Sequence, residues 1–521
     1  MSRLGGTMLA MEWRQTFRRY RAVVWCLFGL SVVALAVALA GMTVGPGRRA
    51  TAAAVFEMLA GAHFCLVAML GPALGSLAVA EERSHRTAGL LSLTDLSGWD
   101  VVWGKFSSRA ALLLLVFVAG APVVLTAALL GAPGDAQVGR LLMTAAAAGV
   151  SGLAIGLAMA MIVPRASQAV ILSFFAVLVW FVILPSAVQL VWLELPGVFP
   201  VPLWLDAWSP LYAFHHELLR VWPSPGWSRC GASLGTALAL AAALVAASGR
   251  LWRPARLQAW EQAELSAEPI EGDEPQARTR RRLAAAGRFT PAGAAAFFLV
   301  MFTAILLVSR PRMSWAELSH GMAGVYFPVC WFLVDLAAAL YAAHAFAVQK
   351  QDGVLELLAS TPLTNAALVW NELARLMRKV SYVPATLAGC QLALWAAGGE
   401  PKLAEASSVI MLAGTPVTVA ARVFHYYLVM VAGLWLSAWS RNLTRAILAA
   451  LVVFVGFTWA CAAVSESVLN YITAQHLVTA PHGVRWCAAL ALGGALARVA
   501  AAAALQVWLI HGLRRFATRR A

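Results

Sequence analysis

The sequence predicts an all-α, polytopic membrane protein of about twelve transmembrane helices, arranged as a duplicated six-helix unit with short cytoplasmic helices. Of its 521 residues, 61% are hydrophobic and only 12% are charged, against roughly 25% charged in soluble domains. Apolar stretches of about 20 residues recur along the chain, the length that a helix needs to cross a hydrocarbon core. Two polar loops of similar sequence also occupy equivalent places in the two halves.

Twelve apolar stretches are the predicted spans. In the first half they lie at about 22–41, 54–80, 110–130, 141–163, 169–190 and 230–248. In the second half they lie at about 291–308, 323–348, 381–398, 419–438, 444–464 and 486–511. The first stretch is longer than the core of a signal peptide, so we interpret it as a span.

The spans divide the chain into two six-span halves, 1–248 and 291–521, joined by a linker at 249–290. The linker is an acidic patch followed by a basic one, and it contains no apolar run. This composition is typical of a flexible cytoplasmic connector.

Positive charge predicts the orientation. With the N-terminus in the cytoplasm, about 28 of the 39 Lys and Arg residues lie on the inside and about 10 on the outside, as the positive-inside rule requires. Twelve spans then place both termini in the cytoplasm. The net charge of +15 follows from this topology, so we expect a multi-pass protein of the inner (cytoplasmic) membrane that contacts lipid and binds no nucleic acid.

No pattern of residues predicts catalysis or a metal site. The seven cysteines lie in or beside apolar spans without a CxxC motif, which argues against disulfides and zinc. The segment HHELLR at 215–220 has Arg220 in place of the second histidine of a zinc-protease motif. The segment GWDVVWGKFS at 98–107 departs from a phosphate loop, because five residues separate its glycines and Phe106 stands where a Ser or Thr is required. We therefore expect no enzyme activity and no cofactor in this chain.

The two polar loops align without a gap at an offset of 267 residues. The first polar loop (81–109) contains EERSHRTAGLLSLTDLSGWDVVWGK, and the second polar loop (349–380) contains QKQDGVLELLASTPLTNAALVWNE. The offset pairs Leu90 with Leu357, Leu91 with Leu358, Thr94 with Thr361, Leu96 with Leu363, Val102 with Val369 and Trp103 with Trp370. Each loop lies between the second and third spans of its half, which indicates a duplicated unit.

Each loop is predicted to be two short helices that meet at a fixed corner on the cytoplasmic surface. Pro362 ends the first helix of the second loop, because the residue before a proline is driven out of the α region, and Thr364 is placed to cap the next helix. In the first loop, Ser97 and Asp100 have the spacing of a capping box.

The second polar loop resembles the coupling-helix signature of permeases of ATP-binding-cassette (ABC) transporters, type-2 exporter class. The matching residues are Gly353, Leu355, Glu356, Leu357, Leu358, Ser360, Thr361, Pro362 and Leu363. This loop lacks the final Gly-Lys of the signature, which the first loop supplies as Gly104 and Lys105. The first loop departs at Arg86, Gly89 and Asp95, where the family has Gly, Glu and Pro.

The resemblance implies that the chain transmits the motion of a partner and does not hydrolyse ATP. The partner would be an ABC ATPase that binds ATP and Mg²⁺, with two ATPase subunits per chain. The residues expected to contact it are Glu81, Glu82, Arg83, Arg86 and Thr94 in the first loop, and Lys350, Asp352, Glu356, Ser360, Thr361 and Pro362 in the second. The basic stretch EWRQTFRRYR near the N-terminus also resembles the family's interfacial helix.

Four polar residues stand out within predicted spans: Glu57, His63, Asp335 and His344. A charge at mid-membrane costs on the order of 3 kcal/mol, so such residues usually face a helix bundle or a wet cavity. We expect them to line a pathway or to pair helices, and Asp335 is the strongest candidate.

The sequence leaves alternatives open. A twelve-span secondary transporter driven by an ion gradient would need charged residues in corresponding spans, but the position aligned with Asp335 is Ala68. A membrane-embedded enzyme has no catalytic constellation to support it, and a non-transporting scaffold remains a third interpretation. Lipid, drug, polysaccharide and peptide are all open as substrates.

Overall fold

The computed structural model describes about half of the chain in ranges separated by gaps. These are 48–84, 97–129, 135–163, 166–185, 208–219, 227–252, 299–300, 302–303, 327–351, 355, 364–398, 416–440, 445–451, 453–454, 496 and 498–513. Within these ranges the chain is helical, without a β-strand, as the predicted all-α class requires. The chain forms two compact units, Met1–Gly287 and Arg288–Ala521, and each is described by itself.

Five helices of the described part are long and apolar enough to cross a membrane. They comprise Leu59–Val79, Gly98–Pro122, Ala136–Ile162, Trp227–Leu251 and Cys330–Ala347. Shorter apolar helices occur at Gln168–Val182, Tyr382–Leu394 and Arg498–Leu513. These lengths support a helical membrane protein. The predicted span at 22–41 and most of those at 291–308 and 444–464 lie outside the described residues, as do the basic N-terminal stretch and most of the linker.

The first unit contains six described helices. They are α1 (Arg48–Ser84), α2 (Gly98–Leu129), α3 (Asp135–Ile162), α4 (Ala166–Leu178), α5 (Pro210–Leu219) and α6 (Trp227–Leu251). Helix α4 continues into a π-helical turn, Val179–Ile183. Ala and Leu dominate α3 and α6, and these residues have high helix propensity.

Helices α1 and α3 form the centre of the first unit because small residues let their backbones approach closely. A Cβ atom added to Gly71 would lie 2.5 Å from the carbonyl oxygen of Gly149, and one added to Gly156 would overlap the carbonyl oxygen of Pro72. Apolar side chains from α1, α3 and their neighbours, including Phe64, surround this crossing. Small residues at such crossings are typical of helix packing in membranes.

Five helices of more than ten residues are described in the second unit. They are α7 (Phe327–Gln351), α8 (Asn365–Val380), α9 (Tyr382–Gly398), α10 (Pro416–Trp439) and α11 (Arg498–Leu513). Helix α7 packs along α10, where a Cβ atom on Gly433 would lie 3.0 Å from the carbonyl oxygen of Ala339. Ala339 follows Pro72 by 267 positions, so in each unit a glycine of the neighbouring helix approaches the backbone at positions related by the offset that aligns the polar loops.

Candidate functional site

The second half of the first polar loop begins with a reciprocal cap at Ser97. The Ser97 hydroxyl oxygen accepts a hydrogen bond from the backbone N–H of Asp100 at 3.1 Å, and the hydroxyl donates to Oδ2 of Asp100 at 2.7 Å. The predicted capping pair is confirmed, although the carboxylate of Asp100 binds the hydroxyl of the cap rather than its backbone N–H. The cap stabilises the first turn of α2, where backbone N–H groups lack partners within the helix.

Thr364 caps α8 in the second polar loop, as predicted. Its backbone is extended, with φ −72° and ψ 150°, and Oγ1 accepts a hydrogen bond from the N–H of Ala367 at 3.2 Å. Thr364 follows Ser97 by 267 positions. Two helices of the two units therefore begin at equivalent residues and with the same type of cap.

The residue after each cap lies against the last described helix of its own unit. In the first unit, a Cβ atom on Gly98 would lie 2.7 Å from the carbonyl oxygen of Gly249 in α6. In the second unit, Asn365 Nδ2 donates a hydrogen bond to the carbonyl oxygen of Ile510 in α11 at 2.8 Å. Displacement of either loop at this point would therefore apply force to two helices: the helix that begins there and the last described helix of the unit.

The two loops differ in the helices that begin at their caps. The predicted separate short helix is wrong for the first loop, because residues 98–109 are the initial turns of the 32-residue helix α2. No proline interrupts α2 before Pro122, so the helix continues from the loop into the span. In the second loop the prediction of a separate helix is correct, since α8 ends at Val380 and α9 begins at Tyr382.

Pro384 accounts for the interruption at Ser381. A proline has no N–H to donate to the carbonyl oxygen four residues earlier, which belongs to Val380. The flanking bonds persist: Ser381 N–H donates to the Met377 oxygen at 2.9 Å, and Ala385 N–H donates to the Ser381 oxygen at 3.0 Å. Ser381 itself keeps helical angles, φ −63° and ψ −21°, so the interruption is confined to one residue.

Most of the residues expected to contact an ATPase lie outside the described residues. These are Arg86, Thr94, Asp352, Glu356, Ser360, Thr361 and Pro362. Glu81, Glu82 and Arg83 belong to the last turn of α1, and Lys350 lies half-buried in the last turn of α7. Helices α1 and α7 end at Ser84 and Gln351, again 267 positions apart.

Charged side chains are buried where the two loops join their units. Lys105 in α2 is 2% exposed, and Arg109 one turn later is also buried. Burial makes Lys105, the lysine of the Gly-Lys pair, a packing residue of its own unit. The equivalent position in α8 is Glu372, which is buried, pairs with Arg375 and accepts a hydrogen bond from Gln349 Nε2 of α7 at 3.2 Å.

Asp335 pairs two helices of the second unit. Its Oδ2 lies 3.5 Å from Nε2 of His425, so the pair joins α7 to α10, and both side chains are buried. Arg422, Arg498 and Tyr426 also interact electrostatically with this pair. Sequence reasoning missed His425, although a histidine within the predicted span at 419–438 was a usable signal.

The other three intramembrane candidates lie on α1 and α7. Glu57 is exposed and His344 is half-buried. His63 is buried in the first unit, where its ring packs against Phe117 with centroids 5.3 Å apart. The structure supports the helix-pairing interpretation for Asp335, through its contact with His425.

The segment HHELLR contains a structural ion pair. Oε1 of Glu217 in α5 accepts a hydrogen bond from Nε of Arg140 in α3 at 2.8 Å, and Gln137 Nε2 donates to the Glu217 carbonyl oxygen at 2.6 Å. These bonds anchor the short helix α5 on α3. Across the described ranges, no three His, Cys, Asp or Glu side chains form a group that could hold a metal ion.

No protein-family model and no curated protein matches this chain. The function is therefore inferred from the loops, the helix crossings and the buried polar groups.

Proposed function

We propose that this chain is the transmembrane permease subunit of an ATP-driven exporter of the type-2 ABC class. A separate ATPase moves the first polar loop (81–109) and the second polar loop (349–380), and these loops move the spans. One observation carries the proposal: each loop starts a capped helix at an equivalent residue, Ser97 or Thr364, and the next residue lies against the last described helix of its unit.

Two further observations support a duplicated unit with six spans per half. The central helices α1 and α7 end at residues 267 positions apart. The glycine crossings use Pro72 in α1 and Ala339 in α7, which are related by the same offset. Their glycine partners, Gly156 in α3 and Gly433 in α10, are 277 positions apart, which implies ten extra residues between the third and fourth spans of the second half.

The partner in this proposal is a pair of ABC ATPase subunits that bind ATP and Mg²⁺ at the cytoplasmic side of the inner membrane. The charged ends of α1 and α7 and the loops that follow them meet the ATPase, while both termini of the chain lie in the cytoplasm. Because Ser97 and Thr364 fix the helix starts and Gly98 and Asn365 touch α6 and α11, a push on either loop is passed to two helices at once.

An ion-driven secondary transporter is the second candidate, and the Asp335–His425 pair favours it. A buried titratable pair within a span is a feature of ion-coupled carriers. The equivalent positions in the first unit are Ala68 and Ala148, which are packed in an apolar cluster. Because the titratable pair of the second unit aligns with two alanines in the first, the proposed exporter is better supported than the secondary transporter.

Co-purification with an ATPase tests the proposal. Each ABC-type ATPase subunit of the source organism is co-expressed with the full chain, and ATP hydrolysis by the complex is measured in nanodiscs. We expect one ATPase to co-purify and Glu356→Ala/Thr361→Ala to lower the stimulated hydrolysis by about tenfold, or about 1.4 kcal/mol of coupling, which lies within the usual range for linked sites.

Asn371→Ala is the matched control, because Asn371 is exposed on α8 outside the proposed contact set. Unchanged hydrolysis in Glu356→Ala/Thr361→Ala would sink the coupling role of the loops. Transport driven by a proton gradient without any ATPase, and lost in Asp335→Asn, would favour the secondary transporter.

A further inference from the structure

An exposed stripe on α8 and α9 changes chemistry along its length. Its α8 portion carries Trp370, 52% exposed, and the exposed residues Arg375 and Arg378. Tyr382, 61% exposed, opens α9. The exposed residues further along α9 are apolar or small, namely Ala385, Gly389, Leu392, Ala393 and Ala396.

The opposite face of α8 fixes which way the stripe points. Leu368, Val369, Leu373, Leu376 and Val380 are buried in the apolar cluster that α7, α10 and α11 also form. The aromatic and cationic residues therefore face away from the core of the second unit.

The spacing of the stripe matches the edge of a bilayer. Arg375 and Tyr382 are seven residues apart, or about 10 Å along a helix. The headgroup layer on each side of a bilayer is about 5–8 Å thick. When Tyr382 and the residues after it lie at and below the hydrocarbon edge, Arg378 is about 6 Å above that edge, within the headgroup layer, and the long side chain of Arg375 reaches the same layer from its outer limit. Tyr is enriched at the boundary where Tyr382 then lies.

The arginines are available to an anion to different degrees. Arg375 pairs with Glu372, although its side chain remains 50% exposed. Arg378 uses Nε for a long hydrogen bond to the carbonyl oxygen of Ala374, 3.3 Å away. Its two terminal nitrogens make no hydrogen bond to the described part of the chain. Guanidinium groups bind phosphate through two parallel hydrogen bonds, which leaves Arg378 as the main ligand.

We propose that Arg375 and Arg378 bind the phosphate of an anionic phospholipid at the membrane surface where α9 enters the bilayer, with Tyr382 at the edge of the hydrocarbon. Positive charge opposite anionic headgroups and the change to an apolar stripe at Tyr382 identify a lipid surface as the occupant. The proposal requires α9 to be membrane-embedded and is independent of ATPase coupling.

The first unit has no equivalent of this site. The positions aligned with Arg375, Arg378 and Tyr382 are Ser108, Ala111 and Leu115. In α2, Trp103 instead stacks between Trp99 and Phe106, with centroids 6.0 Å and 5.8 Å apart. The site therefore occurs in the second unit alone, among the residues that the structure describes.

Quenching of tryptophan fluorescence by brominated lipids tests the site. The full chain is placed in phosphatidylcholine nanodiscs that contain either brominated phosphatidylglycerol or brominated phosphatidylcholine. The signal of a tryptophan at the hydrocarbon edge is taken as the difference between Tyr382→Trp and the wild type, and each arginine variant is made in both backgrounds. We expect brominated phosphatidylglycerol to quench this tryptophan more strongly than brominated phosphatidylcholine does, and each arginine to contribute about fivefold to this preference at low salt.

The variant Arg375→Gln/Arg378→Gln should lose the preference, while Arg375→Lys/Arg378→Lys keeps part of it. Arg378→Gln, which leaves the Arg375–Glu372 pair intact, should still lower the preference by about fivefold. Arg250→Gln is the matched control, because it removes an exposed charge at the end of α6, and we expect it to change nothing. Equal quenching by both lipids, quenching by neither, or a preference that survives Arg375→Gln/Arg378→Gln would overturn the site.

Discussion

Helix α2 of the first unit and helices α8 and α9 of the second start at equivalent residues but continue differently. Helix α2 is uninterrupted for 32 residues and buries Lys105 and Arg109. The equivalent segment of the second unit is interrupted at Ser381, exposes its arginines and buries Glu372. Local capping sequences are thus kept in both units, while the packing after the cap has diverged.

The difference has a mechanical meaning for the proposed exporter. A continuous helix carries a push at Ser97 directly into the membrane span. The interruption at Ser381 separates α8 from α9, so a push at Thr364 passes through a joint that lacks one backbone hydrogen bond. We expect the two loops to contribute unequally to coupling.

The largest expected effect concerns the Asp335–His425 pair. Replacing Asp335 by Leu should lower the free energy of unfolding by on the order of 3 kcal/mol, because the buried His425 imidazole would lose the polar group that lies 3.5 Å from it. Asp335→Leu/His425→Leu should cost less than the two single changes together, since the first unit holds alanines at both positions. Thermal unfolding of the purified protein measures this, and strictly additive losses would show that the pair is uncoupled.

The contacts beside the two caps should respond unequally to substitution. Gly98→Val should lower the free energy of unfolding by about 1–3 kcal/mol, because its side chain would meet the Gly249 backbone. Asn365→Ala should cost about 1 kcal/mol, since it removes one hydrogen bond to Ile510. Chemical denaturation in detergent compares the two.

Gly104→Ala is the control for that comparison, because a Cβ atom there meets nothing within 4 Å. A Gly98 variant as stable as the Gly104 variant would contradict the close approach of α2 and α6.

The two caps themselves should be matched in strength. Ser97→Ala and Thr364→Ala should each lower stability by about 1 kcal/mol, the usual value of an N-cap. Ser97→Asp should retain most of the stability that the cap contributes, because Asp is also a good N-cap residue. Hydrogen exchange of the amides of Asp100 and Ala367 reports each cap separately, and protection unchanged by alanine would exclude the capping role.

The smallest expected effect is at the joint. Pro384→Ala restores an N–H that can donate to the Val380 oxygen. The segment formed by α8 and α9 should then resemble the uninterrupted helix α2. We expect slower hydrogen exchange at residues 381–385 and a gain of under about 1 kcal/mol, because the flanking bonds already exist. Unchanged exchange would mean that tertiary packing, and not Pro384, causes the interruption.

The predicted features that the structure confirms depend on nearby residues. The caps at Ser97 and Thr364 need only the backbone three residues ahead. The described spans follow from runs of apolar residues, which form helices wherever water is excluded. Pro384 is as evident in the sequence as the cap residues are. Whether a proline interrupts a helix, however, depends on the residues that surround it in the folded structure.

The sequence by itself determined the helical membrane class, the starts of α2 and α8 and the repetition at 267 positions, because these depend on composition and on contacts within one turn of helix. Only the tertiary structure decided that Asp335 meets His425, that Lys105 is buried and that Gly98 touches α6. The contacts of Asp335 and Gly98 join residues that are 90 to about 150 positions apart. Such contacts depend on the packing angle and the rotation of each helix, which many weak interactions fix together.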